Sequence, residues 1–448
     1  MIPFRSTLAF LCIGQVMVLS AQQFQPNIIL ILTDDQRFDA VGYAGNKIIQ
    51  TPNLDSLARN GTVFSNAFCT SPISSASRAS ILTGMYERKH GFNFGTEPLD
   101  KTFVECSYPA ILKKAGYRTG FIGKLGVSFE NNAENDIFDY FKDSPMDARY
   151  YYLIEGKHIH KTDFVKEGAI TFLKSCQVKQ PFCLSISFNA PHAADEDPRQ
   201  YIWQRQYDSM YNKIHIPPFL MSESKYFDTL PDFLRNSEGR VRWLWRFNTP
   251  EKFQGMVKGY YRMISGVDDA VGQIIQQLKK MGVYDNTIII FSSDNGYFLG
   301  ERGLADKWLM YEQSIRVPFV ISDPRNKCRP IDKMVLNIDI SPTIIDLAGL
   351  TLPSGINGSS IKPLLEGKLD NWRTGFLCEH LLNNPKIPKS EGIRTEEWIY
   401  FRYNDYPVDE LYNLKNDPWQ FENLVKKEFT IKKELISKLD KLIISAKQ

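Results

Sequence analysis

The segment Asn27-Ile-Ile-Leu-Ile-Leu-Thr-Asp-Asp-Gln36 sets the fold class, because an apolar run of strand length stops abruptly on two carboxylates. A run that is apolar at successive rather than alternate positions reads as a strand covered on both faces. Three further runs have the same form. Arg118 to Gly123 leads into Lys124, Cys183 to Phe188 into Asn189-Ala190-Pro191-His192, and Thr287 to Ser293 into Asp294-Asn295-Gly296. Helical patterns separate them. Thr51-Pro52-Asn53-Leu54-Asp55-Ser56-Leu57-Ala58 opens like a capped helix with proline in its first turn, and Gly61 stops it. From Glu251 to Lys280, apolar residues recur at Phe253, Val257, Tyr260, Ile264, Val267, Val271, Ile274 and Leu278, as on an amphipathic helix. The alternation predicts an α/β domain with a large central, mostly parallel sheet sandwiched by helices. Ligands of such sheets bind beyond the carboxyl ends of the strands, so the four polar clusters predict one shared rim.

Beyond Leu350 the texture changes. Pro353, Gly355, Gly358, Pro363 and Gly367 mark a turn-rich passage. Short strand candidates such as Trp398 to Arg402 follow, then an amphipathic helix from about Thr430 to Ser445. This pattern predicts a smaller α+β domain with a short antiparallel sheet at 366–448, after a main domain at 22–365. Residues 1–21 read as a secretory signal, with Arg5 as its basic region, Leu8 to Leu19 mostly apolar, and small residues at Val18-Leu19-Ser20-Ala21. Gly14 and Gln15 interrupt the apolar stretch, which is too short for a membrane span. The expectation is a soluble exported protein, periplasmic or secreted, with no stable membrane insertion.

The 448 residues suit two domains, or one large domain with an appendage. A net charge of +3 argues against a general nucleic-acid binder, but leaves room for an anionic substrate held by a few local cations. Without the signal, six cysteines remain: Cys69, Cys106, Cys176, Cys183, Cys328 and Cys378. An even count in an exported chain permits disulfides, and Cys176 with Cys183 is the pair that a short loop would join. No Cys-x-x-Cys spacing is present, which argues against a thiolate zinc site.

Asp34, Asp35, Asp294 and Asn295 all offer oxygen, the donor preferred by hard divalent cations such as Ca2+ and Mg2+. A second run, Ser74-Ser-Ala-Ser-Arg78-Ala-Ser-Ile-Leu-Thr-Gly84, places a hydroxyl where a helix start would aim free N–H groups at an anion. Plain serine is a weak nucleophile and needs activation.

The run from Ser74 resembles the signature of type I sulfatases: a hydroxyl or thiol residue, a small residue two later, an arginine four later, then an apolar run closed by Thr-Gly. In that family the first residue, Cys or Ser, is oxidised after translation to formylglycine, whose hydrate attacks sulfur. The resemblance implies that Ser74 is the nucleophile precursor and that Arg78 steadies it. Ala76 stands where many members carry proline, as in bacterial serine-type members. Cys69 fails as a rival start, because Ile73 occupies the arginine position. The family's fold is alkaline-phosphatase-like. Its two acidic motifs hold one calcium, with the formylglycine oxygen as a further ligand. Asp34, Asp35, Asp294 and Asn295 match those motifs, and Ser74 would supply the further oxygen. Related phosphatases and phosphonate hydrolases usually place histidine where this chain has Asn295.

By the same resemblance, Lys124 and Lys307 correspond to the sulfate-site lysines, and His192 to the histidine at the leaving oxygen. Two departures stand out. Gly126 replaces a histidine that often assists formylglycine, with His90 as a candidate substitute, and Arg302 stands where bacterial relatives often carry histidine. Arg240-Val-Arg-Trp-Leu-Trp-Arg246, together with Glu379, His380 and Arg394, offers charged and aromatic groups for a sugar pocket. The implied substrate is a sulfated small molecule or oligosaccharide. The implied biosynthetic partner is a formylglycine-generating maturation enzyme of the anaerobic, serine-type class. Two other readings stay open: a phosphodiesterase or phosphonate hydrolase of the same superfamily, and a catalytically silent sulfated-glycan-binding protein.

Overall fold

The computed structural model describes residues 25–144, 149–177, 179–326 and 328–448. The expected signal at 1–21 lies outside the described residues. The central sheet has seven strands: β1 (Asn27–Thr33), β2 (Thr62–Val63), β3 (Arg118–Gly123), β4 (Tyr140–Asp143), β5 (Phe182–Ser187), β6 (Thr287–Ser293) and β7 (Phe319–Ser322). Their spatial order is β2-β7-β6-β1-β5-β3-β4. Strand β7 runs antiparallel to both neighbours, and the pairs from β6 across to β4 are parallel. The sheet is therefore mixed and mostly parallel.

Each face follows from the two-residue period of a strand. Ile29, Ile31, Leu184, Ile186, Ile289 and Phe291 point to one side. There they pack against helices α1 (Pro52–Arg59), α4 (Lys161–Lys174) and α6 (Pro250–Lys280). Ile28, Leu30, Leu32, Phe121, Ile288 and Ile290 point to the other side, against α3 (Tyr108–Lys114), α7 (Ile340–Leu347) and the apolar residues of α2 (Ser74–Thr83). Each fully buried aliphatic side chain contributes about 1.5–3 kcal/mol, so continuous apolar strands require both helical layers. Helix α6 starts as its sequence dictates, with the Thr249 side chain accepting from the Lys252 N–H and Pro250 in the first turn.

A second sheet of four antiparallel strands, β8 (Gly375–His380), β9 (Ser390–Thr395), β10 (Trp398–Tyr403) and β11 (Asp409–Asn413), follows in the C-terminal part. Helix α8 (Phe429–Ser445) buries Leu435 and Leu439 against it. The Glu379 N–H donates to the Thr70 carbonyl at 2.8 Å, tying β8 to the segment that leads into α2.

The disulfide expectation is corrected: all six cysteines are free thiols. Cys183 points into the core beneath α3 and α7, whereas Cys176, after α4, packs against the core on the opposite face. The sheet itself separates them.

Candidate active site

The register of the parallel strands brings the strand ends together. Thr33 is level with Ser293, so Asp34 and Asp294 leave the sheet side by side, and the Asp294 N–H donates to the Thr33 carbonyl at 3.1 Å. Gly123 is level with Ser187, and the Lys124 N–H donates to the Ser187 carbonyl at 2.9 Å. At Gly123, φ is +104° and a Cβ would lie 1.8 Å from the Ser187 oxygen, so only glycine allows the turn that delivers Lys124 to the rim.

Helix α2 enters this rim with Ser74 as its first residue, and all ten of its residues are buried. The Ser74 hydroxyl donates to Asp34 Oδ1 at 3.0 Å. Arg78, one turn later, donates from Nε to Asp294 Oδ2 at 2.9 Å and from Nη1 to the Lys124 carbonyl at 2.8 Å. Lys124 Nζ pairs with Asp34 Oδ2. Lys307 Nζ lies 2.7 Å from both oxygens of Asp35, and His192 Nε2 lies 3.6 Å from Asp35 Oδ2. Asn295 Nδ2 donates to Asp35 Oδ1 at 2.7 Å. The structure thus gathers Ser74, Arg78, Lys124, His192, Lys307, Asp34, Asp35, Asp294 and Asn295 into one cluster.

Charge is dense here. Burial opposes ionisation of Asp34, but Lys124, with His192, Arg78 and Lys307, more than offsets it and holds this carboxyl well below its ordinary range. Burial raises Asp35 to about 6, against the pull of Lys307, and the neighbouring Asp34 and Asp306 raise it further. Asp294 also rises to about 6, from burial and from Asp34, against Arg78. Removal from solvent and the Lys307 ammonium push His192 down to about 4. Its Nδ1 lies 2.6 Å from the Ala193 carbonyl, which can only accept. The ring proton therefore sits on Nδ1, and Nε2 is the nitrogen open to exchange with a substrate atom.

The donor set suits a hard cation. Asp34, Asp35 and His192 each bring one ligand atom within 4.8 Å of the others, and Asn295 Oδ1 is buried with no hydrogen-bond partner among the described residues. An amide oxygen left bare beside two carboxylates is what an oxygen-preferring divalent ion would satisfy.

Comparison with known proteins gives the family. The Sulfatase family model matches residues 26–350, about three-quarters of the chain. The chain belongs to the sulfatase family. It is a sulfuric ester hydrolase with an alkaline-phosphatase-like fold. A second model, N-sulphoglucosamine sulphohydrolase, C-terminal, matches residues 300–447 of this sulfatase. An N-acetylglucosamine-6-O-sulfatase of Bacteroides thetaiotaomicron is 29% identical, with 92% of this chain and 84% of the relative aligned. An arylsulfatase of Clostridium perfringens is also 29% identical, over 94% of each chain. Among solved structures, one described in complex with its substrate D-glucosamine-2-N,6-O-disulfate has a TM-score of 0.80 and 27% identity, covering 94% of this chain and 98% of that one.

Other expected site residues of the sulfatase lie outside this cluster. His90 binds Ser80 Oγ through Nε2 at 3.0 Å, and its Nδ1 accepts from the Phe92 N–H at 3.1 Å. Arg302 stacks over Tyr311 at 4.2 Å and donates to the Gln420 carbonyl. Glu379 accepts from Arg88 Nε at 2.5 Å, and Arg394 donates to Glu312 at 3.2 Å. His380 is buried at the end of β8, level with Ser390. At Gly126, φ is +66° and a Cβ would come within 2.8 Å of Arg78 Cδ, so the arginine occupies the space that a side chain there would need.

Sequence reasoning missed two features. Tyr260 was read only as an apolar-face residue of α6. Its hydroxyl donates to the Asp35 carbonyl at 2.7 Å and accepts from the Arg37 N–H at 3.0 Å, clipping a segment in which Asp35 holds φ +67°. Asp306 was passed over beside Lys307. It is buried and binds Arg242 at 2.6 Å and Arg246 at 2.9 Å, both on α5 (Glu238–Arg246). A buried carboxylate needs cations, and two arginines one helical turn apart were the available signal.

Proposed function

We propose that this sulfatase hydrolyses a sulfate ester on a sulfated carbohydrate, such as a glycosaminoglycan fragment, by a formylglycine route starting from Ser74. The observation that carries the reading is the Ser74 hydroxyl, 3.0 Å from Asp34 and flanked by Lys124 and Arg78 in a buried acidic cluster. The sugar substrate is supported by the named activities of the relatives described above.

In this reading a maturation enzyme of the anaerobic, serine-type class oxidises Ser74 to formylglycine. Formylglycine at position 74 would supply a hydrated aldehyde, with one hydroxyl as the nucleophile for sulfur and the other as the means of releasing sulfate. Asp34, Asp35, Asp294, Asn295 and the oxygen on residue 74 would hold one Ca2+, which supplies positive charge beside the nucleophile and a sulfonyl oxygen. Arg78 orients residue 74 and restrains Asp294. Lys124 and Lys307 meet the negative charge on the sulfonyl oxygens with fixed ammonium groups. His192 holds the leaving oxygen's proton at Nε2. Its charged form is disfavoured by burial and by Lys307, and a sulfate bound against that lysine relieves the repulsion. Export as a soluble protein, with a catalytic unit at 22–365 and an α+β unit at 366–448, completes the proposal.

The test compares matured wild type and Ser74→Ala on 4-nitrophenyl sulfate and on the corresponding phosphate ester. The expected result is sulfate release by wild type, a loss of roughly 10⁴-fold or more in the variant, and an unchanged circular dichroism spectrum. Sulfate turnover retained by the folded variant would exclude Ser74. Phosphate release faster than sulfate release would favour the phosphodiesterase reading.

A further inference from the structure

We infer that Asp195 and Arg242 form the part of the site that reads a free hydroxyl on the sugar carrying the sulfate; this rests on the sulfated-sugar reading above. The floor of the site is closed to solvent: Ser74 is 2% exposed, Asp35 1%, and Asp34 and Asp294 0%. Exposure begins at His192, Asp195 and Arg242, whose side chains are 27%, 28% and 18% exposed. Asp195 lies three residues after His192. Arg242 reaches Lys307 through one carboxylate: Asp306 Oδ2 accepts from Arg242 Nη1 at 2.6 Å, and Asp306 Oδ1 lies 3.3 Å from Lys307 Nζ. A sugar whose sulfate lies against Lys307 therefore meets this pair next.

The two arginines of α5 divide the work. Arg246 is fully buried and uses its donors on Gln200, Tyr297, Asp306 and Asp195, which leaves it a framework role. Arg242 donates from Nε to Glu238 at 3.1 Å and from Nη1 to Asp306, with Asp195 Oδ2 at 2.9 Å. Among the described residues its Nη2 group has no protein partner. The mouth thus presents an unused guanidinium donor beside a partly exposed carboxylate acceptor, with the Trp308 ring 5.1 Å from the guanidinium carbon as an apolar wall.

This chemistry favours a hydroxyl over a second anion. Asp195, Asp306 and Glu238 match Arg242, Arg246 and Lys307, which Asp35 also shares, so the network carries no spare positive charge. A hydroxyl donates and accepts at once and satisfies both groups. A second sulfate at the same place would meet the Asp195 carboxylate. A site built to bond a hydroxyl rejects the analogue lacking it, because its own polar groups are then left unpaired.

The test measures kcat/KM for 6-O-sulfated N-acetylglucosamine and its 3-deoxy and 4-deoxy analogues, using matured wild type, Asp195→Asn and Arg242→Lys, with 4-nitrophenyl sulfate as reference. Wild type is expected to lose about 10²-fold or more on one deoxy analogue. Each variant is expected to lose a similar factor on the parent sugar, little further on that analogue, and only a few-fold on the aryl sulfate. Losses that multiply, so that each variant still discriminates the analogue as wild type does, overturn the inference and leave the pair structural. Arg242→Lys keeps the charge, and so keeps the test open if Asp195→Asn fails to fold. A wild type that cleaves 4-nitrophenyl sulfate but not the sugar overturns the sugar reading, and this inference with it.

Discussion

At the floor of the site, Asp34, Lys124 and Asp294 leave aligned parallel strands, whereas at its mouth Asp195, Arg242 and Asp306 come from a loop, a helix and a short hairpin far apart in the chain. Arg242 and Asp306 are 64 residues apart in sequence, and no ladder of backbone hydrogen bonds sets their register. The floor is positioned by the sheet, so its chemistry resists change. The mouth is held by side-chain ion pairs, so its recognition is open to change by single substitutions. Nearly all the charge at the floor is buried, which makes each ion pair there costly to break.

Breaking the ion pair that joins mouth to floor gives the largest expected effect. Lys307→Ala strands Asp35 without its cation, whereas Asp306 keeps Arg242 and Arg246. Metal-free protein should lose about 3–5 kcal/mol of stability, and turnover should fall about 10²–10³-fold. Denaturant unfolding and steady-state rates measure both, and unchanged stability would contradict the pairing.

Tyr260→Phe sharpens the comparison, because it keeps the ring and removes only the clip on Asp35. Two buried backbone groups lose their partner, at a cost of about 1–3 kcal/mol. Calcium affinity, measured by competition with a chelator, should fall with it. Equal affinity would mean that Asn295 and Lys307 alone orient Asp35.

The smallest effect is a pH dependence. Asp35 and Asp294, raised to about 6 in the folded metal-free chain, contribute stability that is fully present below the unfolded value near 3.8 and lost as pH rises through about 6. Asp34, held low, contributes in the opposite sense. On the proposed calcium reading the ion would compete with the first two protons, so the calcium-induced rise in Tm should shrink as pH falls from 7 to 5. A shift independent of pH across that window would place the ion away from these carboxylates.

Asp34, Lys124 and Asp294 at the floor were legible because each follows a largely apolar strand, and the parallel strands end level with one another. The run from Glu251 to Lys280 likewise announced α6 through its helical period. Periodicity hid what single atoms do: Tyr260 fits the apolar face of α6, and its hydroxyl matters only because the strained Asp35 backbone lies against it. His90 is by sequence a candidate substitute for the histidine that Gly126 replaces, but both ring nitrogens are used locally, by Ser80 and by the Phe92 N–H. The Cys176–Cys183 pairing failed because proximity in sequence says nothing of which face of the sheet each residue meets. Arg242 and Arg246 were visible as charged residues, but the buried Asp306 that sorts one to the mouth and one to the framework was not.

The central claim, that Ser74 becomes the nucleophile, is tested most directly by the mass of the tryptic peptide Asn60 to Arg78 from protein co-expressed with an anaerobic-type maturation enzyme. The account predicts a peptide lighter by two hydrogens, with the change mapped to Ser74. An unmodified serine, in a host where the same enzyme converts a known serine-type substrate, would contradict it.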